Sequence, residues 1–256
     1  MLSYSKISQL FAYVNSGIEL AGPEFSLKGC AYAWAIATGK FKPGDRVLDV
    51  GGGVSRISGY IHERFGCECW VLDAFHEGGL PTVGKTEHGA NPSVRYVLSN
   101  AGDYSNEMPN NYFDVVYSVS VLEHVPLERM RDVFMDMIRV TKPGGLLLHN
   151  LEICIQNYKL LPHPEWLRKF GRRIFRRVPF HLNSPDLLTV SSWRHFLRSL
   201  PSVTFLQQPD RFNELSMFLN PDTLYEPPSN FYNNPPVGSK EYKRIVSINF
   251  ALIKEY

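Results

Sequence analysis

The sequence predicts one α/β domain with a mostly parallel sheet and helices on both faces. Short apolar segments rich in β-branched residues alternate with segments of helical periodicity, and a glycine cluster follows the first strand. This alternation is typical of a buried parallel sheet. The 256 residues are 44% hydrophobic and 20% charged, as expected for one globular domain with insertions. The net charge of +2 does not indicate bulk binding to nucleic acid.

The predicted elements follow in order along the chain. Residues 27–40 and 56–66 have helical apolar spacing, and Gly66 ends the second of these helices. The segment "LERMRDVFMDMIRVT" (127–141) predicts a further helix, and "KPGG" (142–145) predicts a turn after it. The predicted strands are 46–50, 67–74, 94–99, 113–122, 146–151, 203–209 and 242–256.

The stretch "VLDVGGGVSR" (47–56) indicates a ligand site. Three glycines, from Gly51 to Gly53, follow an apolar strand, and either a ligand approaches the backbone there or the glycines serve a tight turn without a ligand. In a parallel sheet, ligands bind outside the carboxyl ends of the strands. No Gly-Lys-Ser/Thr follows, which excludes a P-loop, and Arg56 replaces the third glycine of a dinucleotide fingerprint. Asp49, an acid inside the apolar strand, favours a ligand that carries an ammonium group.

Four segments in order resemble the motifs of class I S-adenosylmethionine-dependent methyltransferases, of the type 11-like small-molecule group: "VLDVGGGVSR", "WVLDAF", "NEMPNNYFDVVYSVSVLEHV" and "RVTKPGGLLLH". The resemblance covers residues 28–151. It implies a Rossmann-like, seven-stranded, mostly parallel sheet with an antiparallel last strand and a helical lid insertion between strands 5 and 6. It also implies a single domain over the whole chain, composed of N-terminal cap helices (1–42), a cofactor-binding core (43–151), the lid insertion (152–200) and final strands with a substrate loop (201–256).

The resemblance implies S-adenosyl-L-methionine as the cofactor and assigns its contacts. The glycines would face the methionine end and Asp49 its ammonium group. Asp73 would bind both ribose hydroxyls, with helix capping as the alternative role. Asp103 would accept a hydrogen bond from the adenine amine, with Asn100 as a competitor for that role. The predicted cofactor-binding residues are Asp49, Gly51, Gly52, Gly53, Asp73, Ala74, Asn100, Asp103, Tyr104, Ser118 and Ser120.

Two histidines at the predicted ligand edge are candidates for a catalytic base. Methyl transfer is an in-line displacement at a sulfonium, so the protein aligns the acceptor and, for a hydroxyl, removes a proton. His124 follows strand four and His149 ends strand five, and neutral histidine is a suitable base near pH 7. Relatives that bind a metal in this region carry an acid where this chain has Ser120, so no metal is predicted.

The predicted methyl acceptor is a small molecule that is methylated on a hydroxyl. Long segments outside the core are typical of lids and binding loops, and Tyr225, Phe231 and Tyr232 would line an acceptor pocket. "SVSV" stands where enzymes that methylate nucleobases or glutamine amides carry an "NPPY"-like segment. Two alternatives stay open: a cofactor-binding protein without turnover, and a methyltransferase that acts on a lipid-linked or anionic membrane-associated acceptor. A dehydrogenase-type nucleotide binder is disfavoured by Arg56 and Asp49.

The segment "WLRKFGRRIFRRVPFH" (166–181) combines six basic residues and no acid with apolar residues at helical spacing. One interpretation is a lid helix with solvated charges. The other is a basic amphipathic helix that meets an anionic membrane or an anionic acceptor, with nucleic acid as a weaker third. The sequence begins without a signal-peptide core and has no run long enough to span a membrane, so the predicted location is cytoplasmic. No oligomeric state is predicted.

Overall fold

The computed structural model describes residues 1–15, 27–53, 56–75, 91–156, 190–224 and 243–256. In chain order, their elements are β1 (Leu2–Tyr4), α1 (Ile7–Asn15), α2 (Leu27–Gly39), β2 (Arg46–Val50), α3 (Ile57–Phe65), β3 (Glu68–Asp73), β4 (Val94–Leu98), β5 (Phe113–Val119), a 3-10 turn (Leu122–His124), α4 (Leu127–Val140), β6 (Thr141–Gln156), α5 (Val190–Arg198), β7 (Val203–Phe205), α6 (Glu214–Leu219) and β8 (Lys243–Lys254).

The strands form one mixed sheet in the order β1-β8-β6-β5-β2-β3-β4, with β7 also paired to β8. Strands β2 to β6 pair in parallel, and β8 runs antiparallel to β6, β7 and β1. The predicted fold class, a mostly parallel Rossmann-like sheet with an antiparallel last strand, is confirmed. The strand order reverses between β2 and β5, which is where ligands bind in sheets of this kind.

Helices cover both faces of the sheet. On one face, called the α4 face, α4 and α5 bury large side chains such as Phe134 and Trp193. On the opposite face, called the α2 face, α2 and α3 bury Trp34 and Ile61. Because side chains alternate along each strand, neighbouring residues of the sheet belong to different cores.

Strand β6 is longer than the sequence predicts. It runs through Thr141–Gln156, whereas the pattern predicts a turn at 142–145 followed by a short strand. That turn is instead a bulge within the strand, where Gly144 adopts φ +78° and the pairing with β5 shifts register. Residues 146–156 then pair with β8. His149 therefore lies in the middle of a strand and not at its end.

The sheet also contains a strand that the sequence does not predict. Residues Leu2–Tyr4 form β1, which pairs antiparallel with β8. The segment 1–42, predicted as cap helices, thus contains this edge strand in addition to α1 and α2.

Several predictions fall on residues that lie outside the described ranges. They concern the basic segment 166–181, most of the lid insertion, and Tyr225, Phe231 and Tyr232. Among the helices in the described part of the chain, none combines the length and apolar character needed to cross a bilayer.

Candidate functional site

The glycine turn after β2 packs between the ends of β3 and β5. Gly51 donates its backbone N–H to the carbonyl oxygen of Leu72 at 2.7 Å and adopts φ +71°, a conformation that favours glycine. A side chain at Gly51 would overlap that of Val121, which follows β5. Gly51 is therefore fixed by its neighbours, and its position has no room for a larger residue.

Asp49 is buried beside this turn and is held by two hydroxyl groups. Its side chain is 3% exposed, and its Oδ2 accepts hydrogen bonds from Tyr117 Oη at 2.8 Å and Ser58 Oγ at 3.1 Å. Burial and the charge of Asp49 raise the pKa of Tyr117, so the phenol remains a donor. A side chain at Gly52 would overlap the Asp49 carboxylate. The acid thus lies directly against the backbone of the turn, where it favours a cationic group.

Asp73, at the end of β3, connects the glycine turn to the chain that follows β3. Its Oδ2 accepts a hydrogen bond from Gly53 N at 2.9 Å, and its Oδ1 accepts one from Phe75 N at 2.8 Å. Phe75 adopts φ +47°, an uncommon conformation for a bulky residue, and Ala74 lies between the two. Asp73 is partly exposed, and carboxylate oxygens keep lone pairs for further donors. The structure therefore brings this acid to the same edge as Asp49.

The loop after β4 brings together the residues predicted to meet adenine. Asp103 accepts hydrogen bonds from Arg129 Nη2 at 2.6 Å and from Asn100 Nδ2 at 3.0 Å. These bonds, with that from Arg129 the larger cause, lower the pKa of Asp103. Tyr104 follows with 44% of its surface exposed. The pairing of Asp103 with Arg129 engages that carboxylate, so the choice between Asn100 and Asp103 stays a prediction.

A buried acid on α4 fixes this loop. Asp136 Oδ2 accepts hydrogen bonds from Gly102 N at 2.9 Å and Tyr104 N at 3.2 Å. Its Oδ1 accepts from Arg139 Nη2 at 2.7 Å. The sequence analysis missed this positioning role, although an acid on the otherwise apolar face of α4 was its visible signal.

The chain turns sharply at the end of β5. Ser120 adopts φ +54°, and its Oγ donates to Glu152 Oε1 at 3.0 Å. Ser120 is partly exposed at the ligand edge. Ser118, two residues earlier, is fully buried, and its neighbours are those of the α4 face, opposite Asp49. That position does not support the predicted cofactor contact of Ser118.

His124 ends the 3-10 turn that follows β5. Its backbone N–H donates to the carbonyl oxygen of Val121 at 3.0 Å, and its side chain is exposed. The imidazole is thus open to solvent, and it follows Val121, whose side chain packs against Gly51, by three residues. Its role as a base stays a prediction.

His149 is enclosed in the core on the α4 face. It is 0% exposed, and its ring centroid lies 5.6 Å from that of Phe134 and 5.2 Å from that of Phe250. Its Nδ1 lies 2.8 Å from Ser118 Oγ, and burial lowers the pKa of His149 to about 3. A neutral ring sealed from solvent has no access to an acceptor. The structure therefore argues against the predicted base role of His149 and replaces it with a packing role.

Two acids that the sequence did not indicate meet beside Ser120. Glu123 is 6% exposed, and its Oε1 accepts a hydrogen bond from Glu152 N at 3.4 Å. Burial raises the pKa of Glu123 to about 8, and the charge of Glu152 adds to the increase. Glu152 lies beyond the predicted end of its strand, so no sequence pattern placed it at the site. Within the described ranges, no group of three or more His, Cys, Asp or Glu side chains is arranged to hold a metal ion.

Fold and site agree with the class that the resemblance implies. A parallel sheet completed by an antiparallel strand carries an acid, a glycine turn and a second acid along β2 and β3. Residues 48–149 match the family model described as a methyltransferase domain. This part of the chain is therefore similar to that family, and the predicted resemblance is confirmed.

Relatives with known names support the same class. Over 146 residues, the chain is 34% identical to the ubiquinone/menaquinone biosynthesis C-methyltransferase UbiE of Stenotrophomonas maltophilia (strain R551-3), which covers 54% of this chain and 55% of the relative. Over 176 residues, it is 30% identical to the phosphoethanolamine N-methyltransferase of Plasmodium falciparum (isolate 3D7), which covers 66% of this chain and 59% of the relative. The chain therefore spans little more than half the length of these relatives.

Solved structures share the fold at low identity. The phosphoethanolamine N-methyltransferase 2 of Haemonchus contortus, in complex with S-adenosyl-L-methionine, superposes with a TM-score of 0.51 and 16% identity, over 97% of this chain and 57% of that one. A mycolic acid cyclopropane synthase complexed with S-adenosylhomocysteine gives a TM-score of 0.52 and 16% identity, over 87% and 82% of the two chains.

Proposed function

We propose that this protein binds S-adenosyl-L-methionine and transfers its methyl group to a small-molecule acceptor, at a hydroxyl. The observation that carries the proposal is the Asp73 carboxylate, which is bonded to Gly53 of the glycine turn and remains partly exposed. Asp49 lies against the same turn from within the sheet. Two acids on either side of bare backbone suit a ligand with an ammonium group at one end and a diol further along.

The residues of the site fit this cofactor. The cofactor, when bound, supplies an electrophilic methyl group on a sulfonium. At Gly53 an added side-chain carbon would meet Asp73 Oδ2 at 3.8 Å, an ordinary contact distance, so this backbone would be open to the methionine end, and Asp49 would favour its ammonium group. Asp73 would hold the ribose hydroxyls, and the loop with Asn100 and Asp103 would hold adenine. The chain's own contribution is to bind, orient and exclude water.

The acceptor and its methylated atom are proposed from the chain and not from the relatives. The named relatives are a C-methyltransferase and an N-methyltransferase. A hydroxyl acceptor would need a proton acceptor, and His124, which is exposed and follows β5, is the proposed base. A cofactor-binding protein without turnover is the alternative.

Calorimetry followed by a turnover assay tests the proposal. S-adenosylhomocysteine is expected to bind and NAD is not, and S-adenosylmethionine is expected to be consumed with hydroxyl-bearing small molecules. Tight binding of NAD, or no binding of either sulfur compound, would overturn the assignment. Binding without turnover over a broad acceptor panel would favour the alternative. Asp73→Ala is expected to weaken the binding of S-adenosylhomocysteine, and Asp114→Ala is its matched control. Like Asp73, Asp114 accepts a hydrogen bond from a backbone N–H, that of Arg46 at 2.8 Å, but it lies at the opposite end of the sheet.

The basic segment 166–181 supplies a further expectation about the acceptor. Its six cations and apolar spacing support contact with an anionic membrane or an anionic, lipid-linked acceptor. A cytoplasmic location is likewise a prediction from the sequence.

A further inference from the structure

Three buried oxygen atoms on β6, on β8 and in the 3-10 turn after β5 have no hydrogen-bond partner within the described part of the chain. They are Glu123 Oε2, Asn150 Oδ1 and Ser247 Oγ. Glu123 is 6% exposed, and the other two residues are 0% exposed. Leaving a buried polar atom without a partner costs free energy, so three such atoms in one place indicate that something else satisfies them.

These atoms belong to one side-chain cluster on the α2 face. Asn150 and Glu152 are two residues apart on β6, so they point to the same face. Ser247 is the antiparallel partner of Glu152, and directly opposed residues share a face. Glu123 accepts the backbone N–H of Glu152, and Ser120 donates to its side chain. We call these five residues the carboxylate cluster.

The chemistry of the carboxylate cluster selects for a positively charged donor. The amide group of Asn150 already donates its Nδ2–H to Asn249 Oδ1 at 2.6 Å, so its remaining atom only accepts. The negative charge of Glu152 acts on Glu123, and so does the positive charge of Lys28 of α2. Lys28 is itself exposed. A group with several N–H donors and a positive charge would satisfy the acceptors and offset the charge.

The carboxylate cluster borders the ligand edge. Ser120 and Glu152 are partly exposed, as is Val121 between the cluster and the glycine turn. Val121 packs against Gly51. A molecule held by the cluster would therefore lie next to the turn at which the methionine end of the cofactor is proposed to bind.

We propose that the carboxylate cluster is the acceptor-recognition subsite and that it binds an alkylammonium group of the methyl acceptor. An ammonium has three N–H donors, which suit Glu123 Oε2, Asn150 Oδ1 and Ser247 Oγ, and the carboxylate of Glu152 supplies a compensating charge. The inference rests on the proposed function and narrows its substrate class to small amines that also carry the nucleophile.

Ligand-induced thermal stabilisation with paired probes tests the subsite. The protein is saturated with S-adenosylhomocysteine and titrated with tyramine against 4-ethylphenol, and with ethanolamine against ethylene glycol. The members of each pair differ in the ammonium group. The amines are expected to raise the melting temperature at millimolar concentration, and the neutral partners are not. Equal effects within each pair, or no effect of either amine, would overturn the proposal.

Two variants separate recognition from a structural role. Glu152→Gln is expected to weaken amine binding about 10-fold or more, and Glu128→Gln, which removes an exposed acid from the first turn of α4, is expected to leave it unchanged. Unchanged amine binding in Glu152→Gln would refute the inference. Binding of S-adenosylhomocysteine by each variant is measured in parallel. A wild-type protein that does not bind S-adenosylhomocysteine would count against the proposed function. A wild-type protein that binds S-adenosylhomocysteine but shows no stabilisation by the amines would count against this inference alone.

The pH dependence of amine binding distinguishes recognition by Glu123 from a purely structural role, because a structural role would not make amine affinity depend on pH. The charged groups that act on Glu123 are Glu152 of β6 and Lys28 of α2. Glu123 has a pKa of about 8, so its carboxyl group is protonated at lower pH. Below that pH, Glu123 must release a proton before it can pair with a cation. Amine affinity is therefore expected to rise with pH up to about 8 and to lose this dependence in Glu123→Gln. A flat profile in the wild type would contradict the subsite.

Discussion

Replacement of Asp73 by alanine tests the cofactor site most directly. The variant removes both carboxylate oxygens that would accept from the ribose hydroxyls, and charge-assisted hydrogen bonds of this kind contribute ~2–3 kcal/mol together. Affinity for S-adenosylhomocysteine is therefore expected to fall roughly 30- to 150-fold. The variant also frees the N–H groups of Gly53 and Phe75, which are bonded to Asp73 at 2.9 and 2.8 Å. Each lost bond is expected to lower the free energy of unfolding by about 0.5–1.5 kcal/mol.

Calorimetry and urea unfolding of two variants distinguish these effects. Asp114→Ala also loses a backbone hydrogen bond and the contact of its Oδ1 with Lys142 Nζ at 2.6 Å, so its stability is expected to fall by a similar amount. Its affinity for S-adenosylhomocysteine is expected to match the wild type. An unchanged dissociation constant for Asp73→Ala, or an equal loss of affinity in both variants, would refute the assigned role of Asp73.

Four further expectations follow from the site and its surroundings. His124→Ala is expected to lower turnover by ~10²–10⁴-fold while cofactor affinity holds, and near-normal turnover would remove the base role. His149→Ala is expected to lower the free energy of unfolding by ~2–4 kcal/mol, because it leaves a cavity in the core; unchanged urea unfolding would contradict this packing role. The pKa of Glu123 is raised from 4.5 to about 8 in the folded protein, so the fold favours its protonated form. The contribution of Glu123 to the free energy of unfolding is fully present below pH 4.5 and is lost as the pH rises to about 8, by at most roughly 5 kcal/mol. If the free energy of unfolding of Glu123→Gln depended on pH in the same way as that of the wild type, this expectation would be contradicted. The segment 166–181 is expected to attach the protein to anionic vesicles at low salt and to release it at high salt, and no co-sedimentation at low salt would leave it a lid.

The sequence predicted the parts of the fold that depend on local pattern. The strands β2 to β5 and the helices α3 and α4 lie where their apolar spacing placed them, since each buries a continuous apolar face. Strand β1 was missed because three residues are too few to show a strand-like alternation of apolar and polar side chains. Its partner β8, in which Phe250 pairs with Leu2, is also distant in sequence. The length of β6 was missed for a related reason: its second half is specified by pairing with β8, and Gly144 accommodates as a bulge what resembles a turn.

In the candidate site, too, the residues that depend on local pattern were predicted, and those that depend on distant strand pairing were not. Asp49, Asp73 and the glycines lie together because each follows or ends a neighbouring parallel strand. Glu123 and Glu152 were not predicted as a pair, because their contact depends on the register of two strands and on the turn at Ser120. His149 was predicted at the edge from a strand end that the structure moves several residues further along.

The sheet has a consequence for the order in which the chain is made. Strand β8 is the partner of β1, β6 and β7, and it is synthesised after every other strand in the described part of the chain. At roughly 5–20 residues per second, Leu2 waits on the order of 12–50 s for Phe250, its partner in the sheet. Strands β2 to β5 are contiguous in the chain and need no such delay. A nascent chain that stops before residue 243 would carry all the predicted cofactor-contacting residues and still lack the strand on which three others depend.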